Sequence, residues 1–195
     1  KGESPMSGWI ILGLIVAAGF FAVTLYNRLV GSRNQVANAW KQIDVQLKRR
    51  YDLIPNLVEV VKDYMSYEQE TLRQVIEARN RAQSANTGAV THESLQAEGA
   101  LSGALGRLFA LSENYPNLKA DGNVQKLMEE LTGTENKIAF ARQFYNDSAM
   151  SLNNAVESFP SNLVARQFNF QKAEYFEIPE AERAAVQQAP KVDLR

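Results

Sequence analysis

The chain has 195 residues, a net charge of −1, no cysteine and a single histidine, His92. Without cysteine, disulfides and thiolate metal sites are excluded, and one histidine leaves no Ser-His-Asp, Cys-His or zinc cluster. The near-neutral total hides an asymmetry: residues 26–51 sum to +5 and residues 52–195 to −6. The acidic main body argues against nucleic acid as a partner, since phosphate binding requires a basic surface.

Taken from the amino terminus, the first element is an uncharged, mostly apolar run from Trp9 to Tyr26. At 1.5 Å per residue it reaches about 27 Å as a helix, enough to cross a hydrocarbon core of about 30 Å with its flanks. A soluble amphipathic helix would place polar residues on one face, and this run has none before Thr24. Trp9, Gly13, Ala17, Phe20 and Leu25 mark this membrane anchor. The small residues at Gly13/Ala17 and Ala18/Ala22 have the spacing that permits close helix approach in lipid, although such residues are common in any span. The rival reading is a signal peptide cut after Ala22. Against it, the run exceeds the 7–15 residues of such a peptide, and no A-x-A site follows. Flanking charge sets the orientation. Arg28 and Arg33 follow the run closely, which predicts a cytoplasmic carboxy-terminal domain and an amino terminus outside. Both can reach anionic headgroups, whereas Lys48 to Arg50 lie about 35 Å further along a straight helix.

From Leu29 an apolar stripe alternates steps of three and four through Val36, Trp40, Ile43 and Leu47, then Ile54, Leu57, Val61, Tyr64, Leu72, Val75 and Arg79. With Asp52 as an N-cap and Pro55 in a first turn, the spacing predicts a helix to about Tyr51, a kink, and a second segment to about Ala85. The first segment is a continuation of the span. Asn86-Thr87-Gly88 breaks the pattern, and Thr91 opens a helix over about 92–114. Its Gly99, Gly103 and Gly106 each cost about 0.8–1 kcal/mol relative to alanine. Compensation by close packing of a neighbouring helix on that face is the expectation, with Leu101, Leu105, Leu108 and Phe109 on the core side. Tyr115-Pro116 ends this helix. A long one follows from Val124 to Phe159, its stripe running Leu127, Leu131, Ile138, Ala141, Tyr145, Ala149, Leu152 and Val156, and Pro160 stops it. Ser161 starts a shorter helix to about Lys172. The tail has a short helical stretch at Pro179 and is read as peripheral, mobile after Ala189.

No strand pattern and no repeat of 20–50 residues is present. The expected fold is therefore all-α: a transmembrane helix followed by a long antiparallel up-down bundle of four-helix type. The expected divisions are a flank over 1–8, the span over 9–26, the bundle over 27–172 and a peripheral tail over 173–195.

The search for chemistry is mostly negative. A di-iron bundle needs Glu-x-x-His on two helices, and Ala89 stands three residues before His92. The glycines lie within a helix rather than after a strand, so they form no phosphate loop. Asp44, Asp52, Glu59 and Glu68 are read as solvated or salt-bridged. Asn27, Asn34, Asn38, Asn136, Asn146, Asn153 and Asn154 fall on or beside the stripes, where one or two buried amides fix register. Trp40 is expected in the core. No catalytic residue, cofactor, metal or small-molecule substrate is identified.

Several ordered motifs resemble the LemA family: Tyr26-Asn-Arg-Leu-Val30, Arg33-Asn-Gln-Val36, Ala39-Trp-Lys-Gln-Ile-Asp44, Val45-Gln-Leu-Lys-Arg-Arg50, Asp52-Leu-Ile-Pro-Asn-Leu-Val58, Ser112-Glu-Asn-Tyr-Pro116, Thr134-Glu-Asn136, Ala141-Arg142 and Phe159-Pro160. The resemblance covers nearly the whole chain and implies a bacterial, single-pass inner-membrane protein with a long helical bundle. It implies no catalytic residues. Where members often carry histidine this chain has Tyr67, so no role of that histidine carries over. Within these motifs and stripes, Arg33, Arg50, Asp52, Glu68, Glu135 and Arg142 are expected to pair between helices, Arg50 with Asp52 among the pairings to test. Two function classes follow. One is a membrane-tethered scaffold or assembly protein, self-associating and bound to the lipid bilayer. The other is an adaptor or accessory subunit of a membrane enzyme such as a quality-control metalloprotease, with that membrane protein as partner.

Overall fold

The computed structural model describes residues 5–176, and among these every regular element is helical. Lys1–Ser4, the helical stretch expected at Pro179 and the end beyond Ala189 lie outside the described residues. The order is α1 (Pro5–Val61), a 3-10 turn (Ser66–Glu68), α2 (Gln69–Ala85), α3 (His92–Ser112), α4 (Pro116–Ala120), α5 (Gly122–Glu157) and α6 (Ser161–Gln167). By contacts the chain separates into two units. One holds the chain up to Ala39 with Phe144–Ala173, and the other holds Trp40–Gln143 and the residues from Glu174. Both α1 and α5 contribute to each.

α1 corrects the expected division near Tyr51: it continues as one helix through Pro55 to Val61. A proline inside a helix removes one N–H and leaves the carbonyl four residues earlier without its donor. That carbonyl belongs to Tyr51, and Arg79 Nε on α2 donates to it at 3.0 Å. Asp52 is therefore an interior helix residue and not a cap. The break falls instead after Val61, where Lys62–Met65 turn the chain into α2. The stripe continues across this turn because Met65 itself is fully buried. α2 then runs back along α1, as Asn86 reaches Asp44 at 2.8 Å from one end and Arg79 reaches Tyr51 from the middle.

α2 packs on α3. Between them Gly88 takes φ +86°, a conformation that only glycine adopts cheaply. Thr91 and Ser94 close a capping box, each side chain accepting from the other's backbone N–H. α3 buries Leu101, Leu105 and Leu108, with Phe109 half-buried. Asp121 caps α5 by accepting from Asn123 N at 2.8 Å and Val124 N at 3.2 Å.

In the unit that holds the amino-terminal half of α1, Leu29, Ala165 and Phe170 form the core, flanked by Val30, Ala155, Val156 and Val164. α6 ends in a Schellman motif. Asn169 takes φ 54°, Asn169 N donates to Arg166 O, and Phe170 N donates to Ala165 O at 2.9 Å. Phe170 thereby folds back onto Ala165. The Asn153 side chain, buried on α5, both donates to and accepts from the Ala173 backbone, at 2.9 and 2.8 Å. Its amide pins the segment after α6. Asn27, Asn34, Asn38, Asn136 and Asn154 are exposed, and Asn146 is half-buried.

Candidate functional site

Two features stand apart from ordinary packing. The first is Arg50, 0% exposed in the middle of α1. Leu47, Ile54 and Tyr51 around it are all buried, so the apolar stripe that builds the core also carries this cation inward. Isolated, such a charge would be prohibitive. Its Nη2 meets the carboxylate of Glu98 on α3, and its Nη1 donates to Glu135 Oε1 on α5 at 2.6 Å and to Ser102 Oγ at 3.1 Å. Glu98 is 2% exposed and accepts from the Tyr51 hydroxyl on its other oxygen. Burial pushes the Tyr51 phenol above its ordinary pKa, which keeps that proton in place as a donor. Among the described residues, the buried Arg50 Nε has no hydrogen-bond partner.

One guanidinium thus ties together three helices that are far apart in sequence. The arrangement is a clamp between helices, with Arg50 0% and Glu98 2% exposed. Among the described residues, no group of three or more His, Cys, Asp or Glu side chains is placed to hold a metal ion.

The second feature is the apolar stretch of α1. Trp9, Gly13, Ala17 and Phe20 are exposed and Leu25 is half-buried. Over its most apolar eighteen-residue window no residue is buried against the other described residues. This segment is long and apolar enough to cross a membrane.

The structure brings Arg50 and Glu135 together and distributes the other expected polar residues elsewhere. Arg50 does not pair with Asp52, which is exposed. Residues two apart on a helix point about 200° from each other, so the two cannot meet. Arg33 lies over the Phe170 ring at 5.3 Å and Arg142 over the Phe176 ring at 4.5 Å, both cation–π contacts. Glu68 accepts from the Tyr115 hydroxyl at 3.3 Å. Trp40 is half-buried with its ring 6.4 Å from Phe176. Gly103 and Gly106 face outward, and a Cβ at either would meet nothing within 4 Å. No helix among the described residues presses on them, because Leu101, Leu105 and Leu108 turn the other side of α3 to the core; Gly99 is half-buried.

Glu98 is the residue that sequence reasoning missed. The signal was present: Ser94, Glu98, Leu101, Leu105, Leu108 and Ser112 form one unbroken stripe of buried positions. An acid where the period demands leucine announces a buried partner of opposite charge.

The profile of the LemA family matches residues 39–194. Magnetosome protein MamQ 2 of Paramagnetospirillum magneticum is 24% identical over 90% of this chain and 74% of its own length. MamQ of Magnetospirillum gryphiswaldense is 23% identical with the same coverage. Protein LemA of Metamycoplasma hominis is 27% identical over 91% of this chain and 82% of its own.

Proposed function

The chain belongs to the LemA family, and from that premise we propose that it is a membrane-anchored helical scaffold. In this reading it has no catalysis of its own, its helices form an up-down bundle, and it self-associates at the bacterial inner membrane. The observation that carries the reading is the uncovered apolar stretch of α1, which is continuous in one helix with the buried positions Ile43, Leu47 and Ile54. A segment so apolar is stable when lipid covers it. Arg28 and Arg33 after the run support an amino terminus outside and a cytoplasmic carboxy-terminal body. A cation committed to a contact among three helices supports a structural body over a catalytic one. One set of relatives is also named for a cellular structure, the magnetosome, rather than for a reaction.

A second reading is an adaptor for a membrane enzyme. It is favoured by Tyr67 and Phe140, large side chains that stand out into solvent on the acidic body where a partner can take them up. Alkaline extraction of native membranes followed by size-exclusion with light scattering in detergent separates these readings. Retention in the membrane pellet and one uniform homo-oligomer are expected for a scaffold. A monomer that co-purifies with a protease supports the adaptor, and release into the alkaline supernatant overturns anchoring altogether.

A further inference from the structure

The anchor accounts for Trp9 to Tyr26 but leaves a second apolar surface beside its end. Tyr26 closes the run, and its ring lies 4.8 Å from Phe168 and 5.8 Å from Phe170. The turn after α5 comes back to the same level, where Leu25, Arg28 and Leu29 of α1 line one groove with Ser158, Phe159 and Ser161. The tip formed by the α5 end and α6 is therefore held at the height where the chain leaves the apolar run. It is held firmly: Ala165 and Phe170 are buried against Leu29 on its inner side, and the Schellman motif closes its end.

What the tip leaves exposed is unusual. Phe159 is 78% exposed, Leu163 58% and Phe168 59%, all on this one turn and short helix. Single exposed apolar residues are normal, but three on one small tip adjoining a lipid-facing segment are not scattered exposure. The charges nearby fit an anionic surface. Arg28 and Arg166 are exposed, and Glu157, the nearest acid in sequence, is already held by Lys172 at 2.8 Å. Aromatic and aliphatic side chains flanked by arginines are the composition of elements that lie in a bilayer interface.

Resting on the anchor reading, we infer that the α5–α6 tip is a second, shallow membrane contact, with Phe159 and Leu163 dipping among the headgroups and Arg28 and Arg166 meeting anionic lipid phosphates. Continuity with the span selects the lipid surface as occupant: a tip tied to Tyr26 by ring contact reaches the interface without any movement of the chain. The contact holds this unit against the bilayer at two points, the span and the tip.

The chain has no cysteine, so single thiols can be placed in the full-length protein as Phe20→Cys, Phe159→Cys, Leu163→Cys and Tyr67→Cys. Each is labelled with an environment-sensitive fluorophore and reconstituted into vesicles of neutral phosphatidylcholine, with or without phosphatidylglycerol. The expected result is quenching of position 20 by lipids carrying a nitroxide deep in the acyl chain. Positions 159 and 163 are quenched by lipids with a shallow nitroxide and shielded from aqueous iodide, and position 67 is quenched by iodide alone. Iodide quenching at 159 and 163 with position 20 still in lipid overturns the tip contact and leaves the anchor standing. Shielding from both lipid nitroxide and iodide means that a second copy covers the tip, which also overturns it. Iodide quenching at position 20 removes the anchor, and the tip contact with it. Shallow quenching at 163 is expected to strengthen with phosphatidylglycerol, and to lose that increment in an Arg28→Gln, Arg166→Gln background. Equal quenching in neutral vesicles overturns the assignment of the two arginines to lipid phosphate.

Discussion

At the scale of single residues, Arg50 shows how a charge becomes structural. Its cost of burial is offset only because Glu98, Glu135 and Ser102 meet it from two other helices. Removing one partner of such a group leaves the others buried and unpaired, so Arg50→Met is expected to lose about 3–5 kcal/mol of stability. Combining it with Glu98→Gln and Glu135→Gln removes the stranded charges and is expected to recover most of that loss. Urea titration of the three proteins checks both statements, and equal midpoints for Arg50→Met and wild type would refute the clamp. The glycines of α3 make the opposite case. Gly103 and Gly106 have open space where a Cβ would go, so Gly103→Ala and Gly106→Ala are each expected to stabilise the protein by about 0.8–1 kcal/mol through helix propensity. A loss on either substitution, read by thermal melting, would show that something outside this chain uses that surface. Glu98 was legible as an acid on an apolar stripe, but its partner was not. Period places a residue on a face, whereas the identity of the facing helix is a tertiary matter.

At the scale of elements, the unbroken passage of α1 through Pro55 is the main departure from expectation. Local chemistry offers Asp52 as a cap and a proline in the first turn, a self-consistent helix start. A long-range donor overrules it: Arg79 supplies the Tyr51 carbonyl with the hydrogen that Pro55 cannot. A double-mutant cycle tests this substitution of one donor for another. Arg79→Met is expected to cost about 1 kcal/mol with Pro55 present and less in a Pro55→Ala background, where the backbone N–H is restored. Equal costs in both backgrounds would mean that the Arg79 bond does nothing for the proline. The start of α5 is expected to respond to pH. The hydrogen bond from Tyr64, followed by those from the Val124 and Asn123 N–H groups, holds the Asp121 carboxyl below its ordinary pKa. A depressed folded-state value means stability that is present above the ordinary aspartate range of about 3.9 and lost as pH falls through the folded-state value. Thermal melts from pH 6 to pH 3 are expected to decline less steeply for Asp121→Asn than for wild type.

For the whole molecule, the central quantity is the apolar area of α1 that none of the described residues covers. An arginine at the centre of a membrane span costs about 2.5–3.5 kcal/mol of insertion free energy. Ala17→Arg is accordingly expected to move a substantial share of the protein out of the alkali-resistant membrane pellet, while Tyr67→Arg on the body leaves it there. Equal pelleting of Ala17→Arg and wild type would argue that the run does not lie in lipid. The apolar stretch of α1 and the α5–α6 tip meet at Tyr26, whose ring lies 4.8 Å from that of Phe168.

The sequence by itself determined the all-helical class, the apolar segment, the break at Asn86–Gly88 and the family, because each depends on composition, period or short-range turn chemistry. Only the tertiary structure decided that α1 survives its proline, that Arg50 closes on Glu98 and Glu135, and that α3 turns its glycines outward. These outcomes depend on which side chains arrive from distant parts of the chain to donate, accept or fill space. Periodicity orders residues around one helix axis; it carries no information on what faces them.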